Sequence, residues 1–343
     1  MLAARLHSSA GNLTVDDVPD PKLRPGSAIV RLNAALVSPF ITHLIDASEG
    51  YTTPSHPFTP GMDAIGIVEA VDGSCRGLEV GQRVYCDVYF EPDHPASTGE
   101  RAFLGNFAIG PQSASLLQDW PDGVYAEKTC LPVECLHPIE SAIDVAASEL
   151  CRLGWLATAY AGLRKAGMPP GAVVAVNGAS GLLGSSAVVG ALALGASRVL
   201  AIGRREEALK LVAAVDARVV PTTDAASVPL IDVALSSVDG ADSASLDALL
   251  PRLRRGGTFV AVGAPRTPLP LNIRWLMGND ITVRGSLWFD QSHIRELMRL
   301  TASGRVLWSS FLAETYPLAR LSDALKAATS RPNPLRHVSV SLS

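Results

Sequence analysis

Gly178, Gly181 and Gly184 fall within seven residues, close enough for successive backbone N–H groups to reach a phosphate with no Cβ in the way. An apolar run at 172–176, entered through Pro169-Pro170-Gly171, reads as a buried strand before them. Residues 185–194 offer small helix formers after them. Strand, glycine turn and helix are the parts of a pyrophosphate site in a dinucleotide-binding unit. Gly181 would admit the phosphates, Gly184 would let the helix sit close to the strand, and the helix N-terminus would supply partial positive charge. The register is incomplete: Ala179 stands where the first glycine of the pattern belongs, and Gly178 comes one position early. Ser180, Gly181, Leu182 and Leu183 are the turn residues expected to face the cofactor. About 20 residues on, where an acidic side chain would bond a ribose 2′-hydroxyl, stand Gly203, Arg204 and Arg205. A missing carboxylate removes repulsion toward a 2′-phosphate, and a guanidinium binds one through paired charge-assisted hydrogen bonds. This predicts NADPH; two surface arginines at a solvated helix start are the alternative.

Such a site needs alternating strands and helices to hold it, and residues 139–288 supply them. Strands are expected at 172–176, 199–203, 219–220, 231–235, 258–262 and 281–283, with helices near 206–214 and 243–250 between them. That series predicts an α/β domain with a doubly wound parallel sheet. Residues 1–138 differ: strands at 27–35, 64–71 and 83–88 follow glycine turns and suggest a barrel-like β domain. Residues 91–121 show no clear periodicity, and read either as a functional loop or lid or as a segment hiding short helices. Residues 289–343 carry helical patterns at 293–301 and 321–329 and a strand at 337–340. Extending the nucleotide sheet would need a seventh strand, so they are expected to return to the first domain.

Composition narrows the function. The chain has 343 residues, 48% hydrophobic and 18% charged, with a formal charge of -4. It is long enough for two domains with substantial cores, and no basic cluster suggests a nucleic-acid surface. No signal-peptide core is visible at the start, and 187–202 is too short and too interrupted to cross a membrane. Five cysteines without C-x-x-C spacing argue for a reducing, cytoplasmic setting and against a structural zinc site.

Several local motifs, in order along the chain, resemble the medium-chain dehydrogenase/reductase superfamily. Pro60-Gly61-Met62-Asp63-Ala64-Ile65-Gly66-Ile67-Val68 is similar to its P-G-(H)-E-x-x-G-x-V signature, and Gly123-Val124-Tyr125-Ala126-Glu127 to its G-x-(F/Y)-A-E segment. Thr158-Ala159-Tyr160, the stretch 256–263 and Thr282-Val283-Arg284-Gly285-Ser286 follow in the family's order. The resemblance implies a GroES-like β-barrel catalytic domain joined to a Rossmann domain, and a homodimer. Zinc-dependent members take ligands from a Cys in the first third, the His of P-G-H-E, and a later Cys or Asp. Those positions hold Ser38, Met62 and Cys151 here, and one soft ligand cannot hold a tetrahedral zinc. The chain therefore resembles the zinc-free quinone-oxidoreductase-like branch, although Leu182-Leu183 and Ser38-Pro39-Phe40-Ile41 depart from that branch's usual residues.

The resemblance also distributes roles. Thr158 would face the nicotinamide, Val262, Gly263 and Ala264 would offer backbone groups to its carboxamide, Gly285 and Ser286 would line it, and Arg336 would lie near the pyrophosphate. Tyr51 matches a position where zinc-free relatives often carry an active-site tyrosine, able to donate to a substrate oxygen; packing on the proline-rich loop is the alternative. Ser38 would point toward the substrate or satisfy a local carbonyl. Asp63 would act as a structural acceptor or a proton relay. The implied activity is NADPH-dependent reduction of an enone or quinone. Carbonyl–alcohol interconversion is the rival within enzymes, and a non-catalytic NADPH sensor or scaffold the rival outside them.

Overall fold

The computed structural model describes the chain apart from residues 9, 10, 12, 49, 93–98, 239–243, 266, 331, 332 and 343. It divides into two compact units. The first comprises Met1–Arg152, Ala313–Ser330 and His337–Ser343, the second Leu153–Leu312 and Arg331–Arg336.

The first unit is built on the ten-residue strand Ser27–Leu36. Antiparallel to it run Asp63–Val71 and, at its two ends, Lys128–Pro132 and the C-terminal strand Arg336–Ser341. The sheet extends through Arg83–Asp87 to Leu136–Pro138 on one side and to Leu312–Pro317 on the other. Gly66 is required where Asp63–Val71 crosses the central strand, because a Cβ there would lie 2.5 Å from the Arg31 carbonyl. Part of the 91–121 segment folds rather than loops: strands Arg101–Phe103 and Phe107–Ile109 form a hairpin, followed by the helix Ala114–Asp119. Residues 93–98 of that segment lie outside the described residues.

The second unit is the doubly wound parallel sheet that the strand–helix alternation predicts. From one edge to the other its strands are Val219–Thr222, Arg198–Ile202, Val173–Asn177, Ile231–Ser236, Leu253–Ala261 and Thr282–Gly285, all parallel. Its central strands Arg198–Ile202, Val173–Asn177 and Ile231–Ser236 are largely buried because both faces are covered. Val174 and Val176 join Ala187, Val188 and Ala191 in one core cluster, while Ala175 between them joins Leu246 and Leu249 in another. The helix Leu182–Ala193 is buried nearly all round; at Gly190 a Cβ would stand within 4 Å of Leu163, Leu156 and Tyr160 on the helix Leu153–Lys165. That helix starts three residues before the expected position, directly after the glycine turn. The expected helix near residues 243–250 is Ala244–Leu249, residue 243 lying outside the described set. Among the described residues no helix is long and apolar enough to cross a membrane.

Candidate active site

The second unit carries the phosphate-binding candidates. Strand Val173–Asn177 ends at Gly178, whose φ of 89° lies in the left-handed region that favours glycine. The Ile202 carbonyl takes both the Gly178 and Ala179 N–H groups (2.9 Å each), and the Gly178 carbonyl accepts from Gly181 (2.9 Å). The turn is thereby closed, and Gly181 caps the helix Leu182–Ala193 in an extended conformation. A Cβ on Gly184 would lie 2.1 Å from the Gly178 carbonyl oxygen, whereas one on Gly181 would meet only that oxygen, at 3.3 Å. Gly184 thus serves the fold and Gly181 leaves open space over the turn. Leu182 and Leu183 open the helix, so their N–H groups belong to the first turn, where anions are favoured.

Ser180 links this turn to the cation pair. A Cβ on Gly203 would come 2.7 Å from the Ser180 hydroxyl oxygen, so the end of strand Arg198–Ile202 is a seat for that serine. Arg205 donates to the Ser180 carbonyl and holds the turn, while Arg204 beside it is exposed. Arg336 is brought to the same helix from far along the chain. The Ser185 hydroxyl, in the second turn of Leu182–Ala193, donates to the Pro334 carbonyl (2.7 Å), and the Arg336 N–H closes a turn on Asn333 (3.3 Å).

The remaining cofactor candidates are more committed than sequence implies. The Thr158 hydroxyl donates to the Gly154 carbonyl one turn earlier (2.8 Å), leaving it an acceptor. Val262 and Gly263 both spend their N–H groups on the Ser236 carbonyl (2.9 and 3.2 Å), which leaves their carbonyls, with Ala264 exposed beyond them. Gly285 ends the edge strand, and the buried Ser286 accepts from the Lys165 ammonium (3.2 Å), which also donates to the Trp288 carbonyl (2.8 Å). Burial lowers the Lys165 pKa. The sequence pattern does not reveal these Lys165 contacts, since its partners lie more than a hundred positions away.

In the first unit, Ser38 is 5% exposed just beyond the central strand. Its carbonyl accepts the Ile41 N–H (3.1 Å) and its hydroxyl oxygen the Phe40 N–H (3.3 Å), leaving the hydroxyl proton to donate. Tyr51, 37% exposed, packs its ring 5.5 Å from Phe40 and 4.6 Å from Phe107, so Phe40 joins the neighbourhoods of Ser38 and Tyr51. Phe40 and Phe107 are themselves 5.3 Å apart, completing an aromatic cluster around the tyrosine.

Asp63 belongs to a separate buried network. It is 1% exposed, accepts the Tyr85 hydroxyl at 2.5 Å, and stands opposite Asp87 on the neighbouring strand. Burial pushes its carboxyl up to about 7; Asp87 adds to the rise and the Tyr85 hydrogen bond opposes it. His137 stacks on Tyr85 at 5.8 Å and lies 3.7 Å from the Asp87 carboxylate. Strand period puts Tyr85 and Asp87 on one face of Arg83–Asp87, and strand register brings Asp63 and His137 to them. In the same unit His337, 2% exposed, faces the Ser148 carbonyl at 2.8 Å. Burial, with the buried Arg152 cation adding to it, drives the His337 pKa down to about 3.

Of the three positions that would carry zinc ligands, Ser38 and Met62 offer a hydroxyl and a thioether, and the buried Cys151 thiol is pushed up by burial, far from thiolate. Among the described residues no group of three His, Cys, Asp or Glu side chains could hold a metal. This donor set does not fit tetrahedral zinc.

Residues 24–141 match the family model described as alcohol dehydrogenase GroES-like domain, and residues 183–303 the one described as zinc-binding dehydrogenase. An alcohol dehydrogenase of Moraxella sp. (strain TAE123) is 28% identical over 94% of each chain. An acryloyl-coenzyme A reductase of Sulfurisphaera tokodaii is 26% identical over 91% of each. Among solved structures, the alcohol dehydrogenase of Thermus sp. ATN1 superposes with a TM-score of 0.80 at 25% identity, covering 99% of each chain. With both family models matched in order and the parallel sheet in place, the chain belongs to the medium-chain dehydrogenase/reductase superfamily of oxidoreductases.

Proposed function

We propose that the protein is a zinc-independent, NADPH-dependent reductase of the quinone-oxidoreductase-like branch, acting on an activated C=C bond or a quinone. The observation that carries this reading is the donor set Ser38, Met62 and Cys151, which offers no Lewis acid to polarise a simple carbonyl. An enone or quinone is activated by its own conjugation and asks less of the protein. The acryloyl-coenzyme A reductase relative, by its name a reducer of such a C=C bond, points the same way. Bound NADPH supplies the hydride. Gly181 and the first turn of Leu182–Ala193 would receive the pyrophosphate, with Arg336 nearby. Arg204, exposed beside the Ser180 turn, would meet the 2′-phosphate. The carbonyls of Val262 and Gly263 would accept from the carboxamide. The Ser38 hydroxyl and Tyr51 phenol would donate to the substrate oxygen as negative charge gathers there. Asp63, largely protonated in weak acid, would hold a proton in reserve.

A homodimer fits the second unit's outer edge. Strand Thr282–Gly285 is exposed along its whole length, and Ile273 and Met277 beside it are 69% and 74% exposed. An open edge with an apolar flank favours pairing with a second copy.

The alcohol dehydrogenase relatives favour a second reading, reduction of aldehydes. NADPH consumption against a panel of enones, quinones and simple aldehydes separates the two, repeated after dialysis against a metal chelator. Enone or quinone turnover that survives the chelator is expected. Turnover of aldehydes alone, or activity lost with the metal, overturns the proposal; tight NADPH binding with no turnover would make the protein a sensor.

A further inference from the structure

We propose that the first unit contains a second ligand site, a cavity for a small planar anion of the aromatic carboxylate class. The cavity, about 450 Å³, opens between strands Leu2–Leu6 and Lys128–Pro132, the connection at 18–24 and the loop at 120–123. That volume suits a single ring bearing an acid group. None of Ser38, Tyr51, Asp63 or the second unit's cofactor residues lines it.

Two features define the ligand. The first is an apolar wall: Trp120, Pro19, Pro21 and Pro121 line the cavity, and a ligand ring can pack against them and stack on the flat guanidinium that Arg24 lays over the indole. The second is an excess of cations. Arg5 is neutralised by Asp122 (2.7 Å), and Lys128 by Asp20 and Glu69 (2.9 Å each). Among the described residues, Lys22 and Arg24 have no carboxylate partner. Lys22, exposed on the rim, makes no hydrogen bond or ion pair with any described residue. The Arg24 guanidinium donates to the Asp119 carbonyl and lies over the Trp120 ring, its central carbon 4.2 Å from the centroid. A guanidinium already fixed on an indole face needs little further ordering to meet a carboxylate, and its two-pronged donors match that group's geometry. Stacking and charge thus converge on one ligand type. A bare anion would leave the Trp120 wall unused, and a neutral ring would leave Lys22 and Arg24 unused.

Titration of the full chain with 4-fluorobenzoate, followed by 19F NMR line width, tests this. Neutral 4-fluorobenzyl alcohol and inorganic phosphate are the two control probes. Saturable binding of the benzoate is expected, at least tenfold tighter than either control and unaffected by saturating NADPH. Lys22→Glu and Trp120→Ala should each weaken it at least tenfold, and Arg24→Lys less than Arg24→Glu. Lys22 is exposed and unbonded, so Lys22→Glu leaves the fold intact. Benzoate binding that is absent, matched by phosphate, displaced by NADPH or unchanged in Lys22→Glu overturns the site.

Discussion

The two units solve the problem of building a site in opposite ways. In the second, the candidate binding groups are mostly backbone atoms, and Gly178, Gly181, Gly184 and Gly203 clear space around one turn. In the first, the candidate groups are side chains, and one of them, Asp63, is an ionisable group withheld from water beside Tyr85 and Asp87. A backbone site is sensitive to volume and indifferent to pH. A side-chain site tolerates changes of volume better and answers to pH and hydrogen bonding.

That contrast breaks first at Gly184. In Gly184→Ala the added methyl meets backbone atoms at 2.1, 2.5 and 2.8 Å, none of which belongs to a flexible side chain. Loss of folded second unit, or NADPH binding weakened by more than about a hundredfold (about 2.7 kcal/mol), is expected by fluorescence titration. Gly181→Ala, which meets one oxygen at 3.3 Å, should keep the melting temperature and weaken NADPH alone. Equal effects of the two would remove the distinction between a fold glycine and a ligand glycine. Next is Arg204→Glu, which adds a negative charge to an otherwise backbone-built site. Its NADPH Michaelis constant should rise at least about tenfold (about 1.4 kcal/mol), with NADH affected less. An unchanged NADPH-to-NADH preference sinks the 2′-phosphate assignment.

The mildest test sits in the first unit. Asp63→Asn keeps an oxygen to accept from Tyr85 and removes the buried charge facing Asp87. Because the folded carboxyl titrates about 7 against 3.8 for the free group, the folded state binds more protons between those values. Asp63's own contribution to the parent's stability therefore falls as pH rises through that window. Relative to the parent, Asp63→Asn should gain several degrees in melting temperature at pH 8 and little at pH 4. A pH-independent difference would mean that Asp63 is uncharged throughout or that Tyr85 carries the effect.

The same contrast explains what could be read from sequence. The doubly wound sheet was legible because each strand is a local apolar run bounded by glycine or polar turns, and its chain-order alternation dictates its topology. Gly181, Gly184 and Gly203 were legible for the same reason, their partners lying in adjacent elements. The start of the helix at Leu182 was not, because Gly184 reads as a turn residue although a glycine costs little in a first helical turn pressed against a strand. The folding of 101–119 escaped because strands of three residues are too short to show alternation. Ser38, Tyr51 and Asp63 were found only through family resemblance. The partners that set their chemistry, Phe107, Tyr85, Asp87 and His137, arrive through sheet register and loop packing, which composition does not encode.

Asp63 and His337, both sealed inside the first unit, resist ionisation from opposite directions. Acidification through 6.5 toward 3 charges His337 more readily in the unfolded chain, so folding weakens on that side. Alkalinisation from 3.8 toward 7 does the same through Asp63. Where the windows overlap, between about 4 and 6.5, the two slopes run against each other and largely cancel. The unit carries a built-in counterweight: in mildly acid surroundings the contributions of these two buried groups to folding offset each other.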